Sequence, residues 1–155
     1  MLKLVKPRFD ELSFRKELLA DNHTMEFNAA WGGTIDFPED RWNIWYEKWL
    51  MCDDNNYFYR YLYCNELEKY VGEVAYHFDE DYGVNIVSII VHNKYRGEGF
   101  GRQGLSLLCK AAKENGLKYL YDNIAIDNTS IKLFLESDFE EMWSNKEFTM
   151  LRRKL

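Results

Sequence analysis

The chain is short of several things whose absence narrows its class. It has two prolines, Pro7 and Pro38, and no Gly/Ser-rich or low-complexity stretch. Nothing therefore marks a linker, and residues 1–155 read as a single domain. The three cysteines, Cys52, Cys64 and Cys109, are odd in number and show no C-x-x-C or Cys/His ligand spacing. That argues against a disulfide framework and a zinc site, so reduced thiols and no metal are expected. No stretch approaches the ~18 apolar residues of a membrane span, and Met1 to Arg8 mixes Lys and Leu without the apolar run of a signal peptide. The expectation is a cytoplasmic protein with no membrane partner. Positive charge is scarce too, with 20 Lys and Arg against 26 Asp and Glu, which argues against nucleic-acid binding.

What the chain has in quantity is aromatic side chains: 5 Trp, 11 Tyr and 10 Phe. Fifteen of these lie between Trp31 and Tyr82, a stretch that also holds 12 acids and only 4 bases. The remainder carries 14 acids and 16 bases. An acidic, aromatic half joined to a mildly basic half suits a protein whose halves meet ligands of opposite charge.

The periodicities give a mixed α/β order, α-α-β-β-β-α-β-α-β. A helix is expected from about Arg8 to Ala20, with Phe9, Leu12 and Leu19 near one face. A second begins at Pro38 and places Trp42, Trp45, Tyr46 and Trp49 in one stripe. After Asn55-Asn56 the period shortens to two. Tyr57–Cys64 and Tyr70–Phe78 read as a hairpin, and Val84–Val91 as a third strand. Gly99–Asn115 is an amphipathic helix closed by Gly116, with Leu105, Leu108, Cys109 and Ala112 on its apolar face. Leu117–Ile126, a short helix carrying Ile131, Phe134 and Leu135, and a strand over Lys146–Arg152 complete the order.

The chemistry-bearing segment follows the Val84–Val91 strand, where Arg96-Gly97-Glu98-Gly99-Phe100-Gly101 opens a helix. Such a loop offers consecutive backbone N–H groups at a helix N-terminus, an anion site suited to a phosphate or pyrophosphate. A Walker loop is excluded, because Gly101-Arg102-Gln103 stands where Gly-Lys-Ser/Thr is needed. Gly99-Phe100-Gly101-Arg102-Gln103-Gly104 has dinucleotide-fingerprint spacing but lies after three strands, outside the required βαβ context. Arg96, Gly99 and Gly101 instead match Q/R-x-x-G-x-G/A, and the segment resembles the acyl-CoA-binding motif of the GNAT superfamily of N-acetyltransferases. The likeness extends to the element order from about Arg8 to Phe148.

The resemblance implies a GNAT fold, a mostly antiparallel sheet splayed between its fourth and fifth strands and flanked by helices. It also implies acetyl-CoA as co-substrate and an amine acceptor that attacks the thioester directly in a ternary complex. Arg96, Gly97, Glu98, Gly99, Phe100, Gly101 and Arg102 would hold the pyrophosphate. Ile89, Ile90, Val91 and Asn128 would meet the rest of the CoA. Two family positions differ here. The general acid is usually a Tyr in the last short helix, and Phe134 occupies that place, or Leu135 if the register is anchored on Asn128. A Glu eleven residues before the motif, the base of some protein-acetylating members, is Asn85. Glu73, His77, His92 and Tyr121 remain as candidate bases, and Ser130 and Tyr121 as hydroxyl substitutes for the acid. In the family the acceptor meets the two N-terminal helices and their loop. Glu26, Trp31 and Asp36 would there receive a cationic amine, small or on a protein. A non-catalytic acyl-CoA-binding module of the same fold is the alternative, and a homodimer is compatible with either.

Overall fold

The computed structural model describes residues 1–52 and 56–155. Asn55 of the expected Asn55-Asn56 break lies outside the described residues. Within these residues seven strands form one sheet: β1 (Leu2–Val5), β2 (Tyr57–Cys64), β3 (Lys69–Asp79), β4 (Val84–Val91), β5 (Tyr119–Ala125), β6 (Glu140–Ser144) and β7 (Phe148–Lys154). Their spatial order is β1-β2-β3-β4-β5-β7-β6, and every neighbouring pair is antiparallel except β4 with β5. Among the described residues, four α-helices flank the sheet: α1 (Leu12–Ala20), α2 (Trp42–Tyr46), α3 (Phe100–Glu114) and α4 (Ile131–Glu136). The expected α/β class and the split between the fourth and fifth strands are both present.

Two strands were not legible. β1 carries the polar Lys3 and is only four residues long. It exists because its backbone completes the sheet edge, Leu2 opposite Cys64 and Val5 opposite Tyr61. β6 has all five residues exposed, so it lacks the alternation that marks a half-buried strand. The hairpin partner β7 holds it, with Glu140 opposite Arg152.

α3 sets the geometry of the site. Its expected apolar face is buried, with Leu105, Leu108 and Ala112 at 0% and Cys109 at 3% exposure. Each buried Leu contributes roughly 1.5–3 kcal/mol of stabilisation. Gly104 lets the helix lie close to the sheet, because a Cβ there would sit 2.8 Å from Leu62 Cδ1 and 3.2 Å from Ile89 Cδ1. The helix N-terminus is thereby fixed beside the end of β4.

The aromatic stripe packs the other face. Trp45 stacks on Trp49 at 6.1 Å and meets Tyr59 edge-on at 4.7 Å, while Trp42 Nε1 donates to the Phe37 carbonyl at 3.1 Å. α2 runs on as a wider helical turn over Glu47–Met51, which keeps Leu50 buried. Phe9 departs from its expected inward position: it precedes α1 in a short 3₁₀ turn and is 41% exposed, and Leu18 takes its place in the core. Much of the aromatic excess is thus core.

Candidate active site

β4 and β5 make one bridge only, Ile86 opposite Tyr121, and then part. A cavity of about 700 Å³ opens in the split. Strand alternation gives the split two sides. Leu120 and Ile124 of β5 and Val87 of β4 join Leu105, Leu108 and Phe134 in the cluster beneath α3 and α4. Ile90 of β4 points the other way, into the cluster of Leu12, Leu19, Met25 and Phe37. Lining residues come from both sides: Phe100, Gly101, Leu133 and Phe134 from the first, and Phe27, Asn28 and Trp31 of a 3₁₀ turn over Glu26–Trp31 from the second. The cavity therefore passes through the sheet.

The β4–α3 loop lies at one mouth of this cavity. Gly97 and Gly99 both have positive φ, +83° and +82°, which L side chains rarely adopt. Gly99 caps α3, and the first helical bond runs from Gln103 N to Gly99 O at 3.1 Å. The amides of Phe100, Gly101 and Arg102 consequently have no acceptor within the helix and lie where an anion can take them. This cradle fits a pyrophosphate.

The profile of the acetyltransferase (GNAT) family matches residues 17–139, which include the loop, the split and α4. The chain belongs to that family. With membership come the activity, N-acetyl transfer, and the co-substrate, acetyl-CoA. Solved structures give the same fold at low identity. Spermidine N-acetyltransferase from Vibrio cholerae, in complex with CoA and spermine, superposes with a TM-score of 0.78 at 18% identity over 99% of this chain and 95% of that one. A domain from Methanocaldococcus jannaschii gives 0.79 at 17% identity, over 100% and 99% of the two chains. An N-acetyltransferase from Staphylococcus aureus gives 0.74 at 17%, over 99% and 98%. No curated protein matches the chain in sequence.

Of the GNAT-motif residues, Ile89, Ile90, Val91, Arg96, Gly97, Gly99, Phe100, Gly101, Arg102 and Asn128 line the cavity, and Glu98 does not. Neither arginine of the loop is unpartnered. Arg96 donates from Nε to the Val91 carbonyl at 3.2 Å and from Nη2 to the Thr24 carbonyl at 2.5 Å, strapping the loop to the end of β4 and to the α1–α2 connection. Arg102 pairs with Glu136 of α4 at 2.5 Å. Backbone amides are left as the anion donors.

The expected base and acid residues are placed less uniformly. Glu73, a candidate base, is buried at 3% exposure and does not line the cavity. Arg15 Nη1 donates to both of its carboxylate oxygens at 2.6 and 2.7 Å, and the Tyr59 hydroxyl donates to it as well. Burial pushes the carboxyl up while Arg15 pulls it down. The guanidinium lies 4.6 Å from the Trp45 ring centre and 4.9 Å from that of Phe37. A carboxylate held this way ties α1 to β3.

Tyr121 likewise turns from the cavity, packing with Ile86, Phe148 and Met150, and Arg152 binds it. His77 sits against Trp49 and Tyr57, and burial lowers its pKa. His92 accepts from Lys94 N at 3.3 Å and faces Asp21. Neither histidine, nor Asn85, lines the cavity. Ser130 does line it, where α4 begins, and so does Phe134, 2% exposed and edge-on to Phe139 at 5.0 Å.

Of the acceptor residues, Trp31 lines the cavity at 52% exposure. Glu26 is outside it, paired with His23 at 3.2 Å, and Asp36 is exposed elsewhere. One cavity carboxylate had no sequence signal that singled it out. Asp122 of β5 lies one residue past the last β4–β5 bridge and lines the split. Burial raises its pKa to about 8, against one backbone N–H from Asn123 that lowers it.

Proposed function

We propose that the chain transfers the acetyl group of acetyl-CoA to a primary amine, which attacks the thioester directly in a ternary complex. The cavity through the β4–β5 split carries this reading, because it opens to the amide cradle on one side and to the Glu26–Trp31 turn on the other. The amides of Phe100, Gly101 and Arg102 would hold the pyrophosphate. The pantetheine arm would run down β4 from Val91 toward Val87, four residues or about 13 Å of strand. The acceptor would enter across Trp31 and meet the thioester where the strands part.

The lining on that side favours an amine with an apolar body. Phe27, Trp31, Ile86 and Ile90 supply aromatic and aliphatic surface, and Asn28, Ser88 and Asn123 supply neutral polar groups. Among the described residues, no carboxylate of the Glu26–Trp31 turn lines the cavity, so nothing on that side would bind a second ammonium inside. The test is thiol release from acetyl-CoA over arylalkyl amines, polyamines, amino sugars, aminoglycosides and N-terminal peptides. Turnover with kcat/KM highest for the arylalkyl amines is expected. Preference for polyamines would refute the acceptor class, and no turnover with any of them would refute the transfer itself.

A further inference from the structure

Breaking the C–S bond leaves a thiolate that takes up a proton to become the CoA thiol, a step an acid at sulfur assists, and Phe134 has no proton to give. Asp122 is the one carboxyl among the described residues lining the cavity. It shares its strand face with Leu120 and Ile124, two residues away on either side, and thus points to the α3–α4 side where the amide cradle lies. Tyr95, the cavity's phenol, follows β4 at the cradle end, remote from the point where the strands part. From this geometry we infer that Asp122 is the proton donor to the departing CoA thiolate. The inference rests on the acetyl-transfer reading of the cavity.

The balance of the step is simple. The amine nitrogen bonds to the thioester carbon, the C–S bond breaks, and its electron pair stays on sulfur. The Asp122 O–H gives its proton to that sulfur, leaving CoA as the free thiol and Asp122 as carboxylate. The proton lost from the acetylated nitrogen enters water, and water returns one to Asp122. Donation needs a carboxyl that is protonated near neutral pH, and desolvation in the split, with a pKa of about 8, supplies it.

Among the described residues, no charged side chain acts on the Asp122 carboxyl. Across β7, Arg153 stands opposite Leu120 and donates to the Ser137 carbonyl at 3.2 Å. On α3, Arg102 is taken by Glu136, and Cys109 is a buried thiol. On α4, Lys132 pairs with Glu136 at 3.8 Å, while β4 presents only Val87, Ile89 and Val91. Arg96 is spent on backbone carbonyls.

The experiment compares the full-length chain with Asp122→Asn, which keeps the shape and removes the transferable proton. Wild-type kcat, with the amine turned over fastest, should fall as pH rises through about 8. In Asp122→Asn, kcat should drop about 10²-fold or more and this alkaline limb should vanish. CoA affinity by calorimetry should stay within about two-fold. An unchanged kcat, or a loss of kcat with the alkaline limb intact, would overturn the assignment while leaving the acetyl-transfer reading standing. A wild-type protein that binds no CoA and acetylates no amine would overturn that reading first, and the assignment with it. Carboxyl ¹³C NMR of the wild type gives a readout that does not depend on the variant folding. A resonance titrating near 8 and displaced by CoA is expected; one near 4 would overturn the assignment.

Discussion

Replacing Glu73 by Gln asks whether this buried carboxylate holds the fold or performs chemistry. Glu73 and Arg15 have side chains 5% and 16% exposed, and one guanidinium nitrogen reaches both carboxylate oxygens. Arg15 Nε already lacks a hydrogen-bond partner. The substitution therefore leaves a nearly buried cation with only the π-faces of Phe37, Trp45 and Tyr59 for compensation. Removing one partner of a buried pair costs about 3–5 kcal/mol, and the retained Gln carbonyl and the rings place this site near the lower end. For a domain this size each kcal/mol moves Tm by about 2–4 °C, so a fall of roughly 6–12 °C is expected by thermal melts. With the about 5–15 kcal/mol typical of a domain, the variant should remain folded at 20 °C, where kcat per folded molecule and CoA affinity should match wild type. Adding Arg15→Met should recover part of the loss, because the unpaired charge is then gone. An unchanged Tm with a collapse in kcat would make Glu73 a base rather than a tie between α1 and β3.

Three further outcomes follow from the same geometry. Gly99→Asp forces an L residue into positive φ and sets a carboxylate beside the amide cradle, so CoA binding by calorimetry should be lost; retained affinity would reject the pyrophosphate position. Trp31→Ala should raise KM for the amine several-fold and leave CoA affinity unaltered in the same titration. Asp122 also links stability to pH. Its folded pKa of about 8 lies above the ordinary 3.8, so its contribution is fully present below 3.8 and is lost as pH rises toward 8. Tm should therefore decline by several degrees between pH 5 and 8, and Asp122→Asn should flatten that decline.

Much of the fold could be read in advance because its decisive elements are strongly periodic. The apolar face of α3 and the run Val84–Val91 fall where their spacing puts them, and Gly116 ends its helix with φ +89° as a C-terminal glycine should. The glycine loop before α3 was legible for a different reason: its glycines stand where positive φ and the helix start require them, at Gly97 and Gly99. β1 and β6 were not legible, since an edge strand is stabilised by its neighbour's backbone rather than by a pattern of its own. The surroundings of the buried carboxyls were harder still. Glu73 sits in an alternating strand whether it faces water, a cavity or an arginine, and only the approach of Arg15 from α1 decides among these. Asp122 is one acid in a run of mixed residues, and its surroundings depend on how far β4 and β5 part, which no local spacing encodes.

A crystal structure of the protein with CoA would show directly whether the cofactor threads the β4–β5 split and brings its sulfur to Asp122. The pyrophosphate is expected on the amides of Phe100, Gly101 and Arg102, the pantetheine arm between β4 and β5, and the sulfur within hydrogen-bonding reach of the Asp122 carboxyl. CoA bound outside the split, or with its sulfur remote from Asp122, would contradict that arrangement.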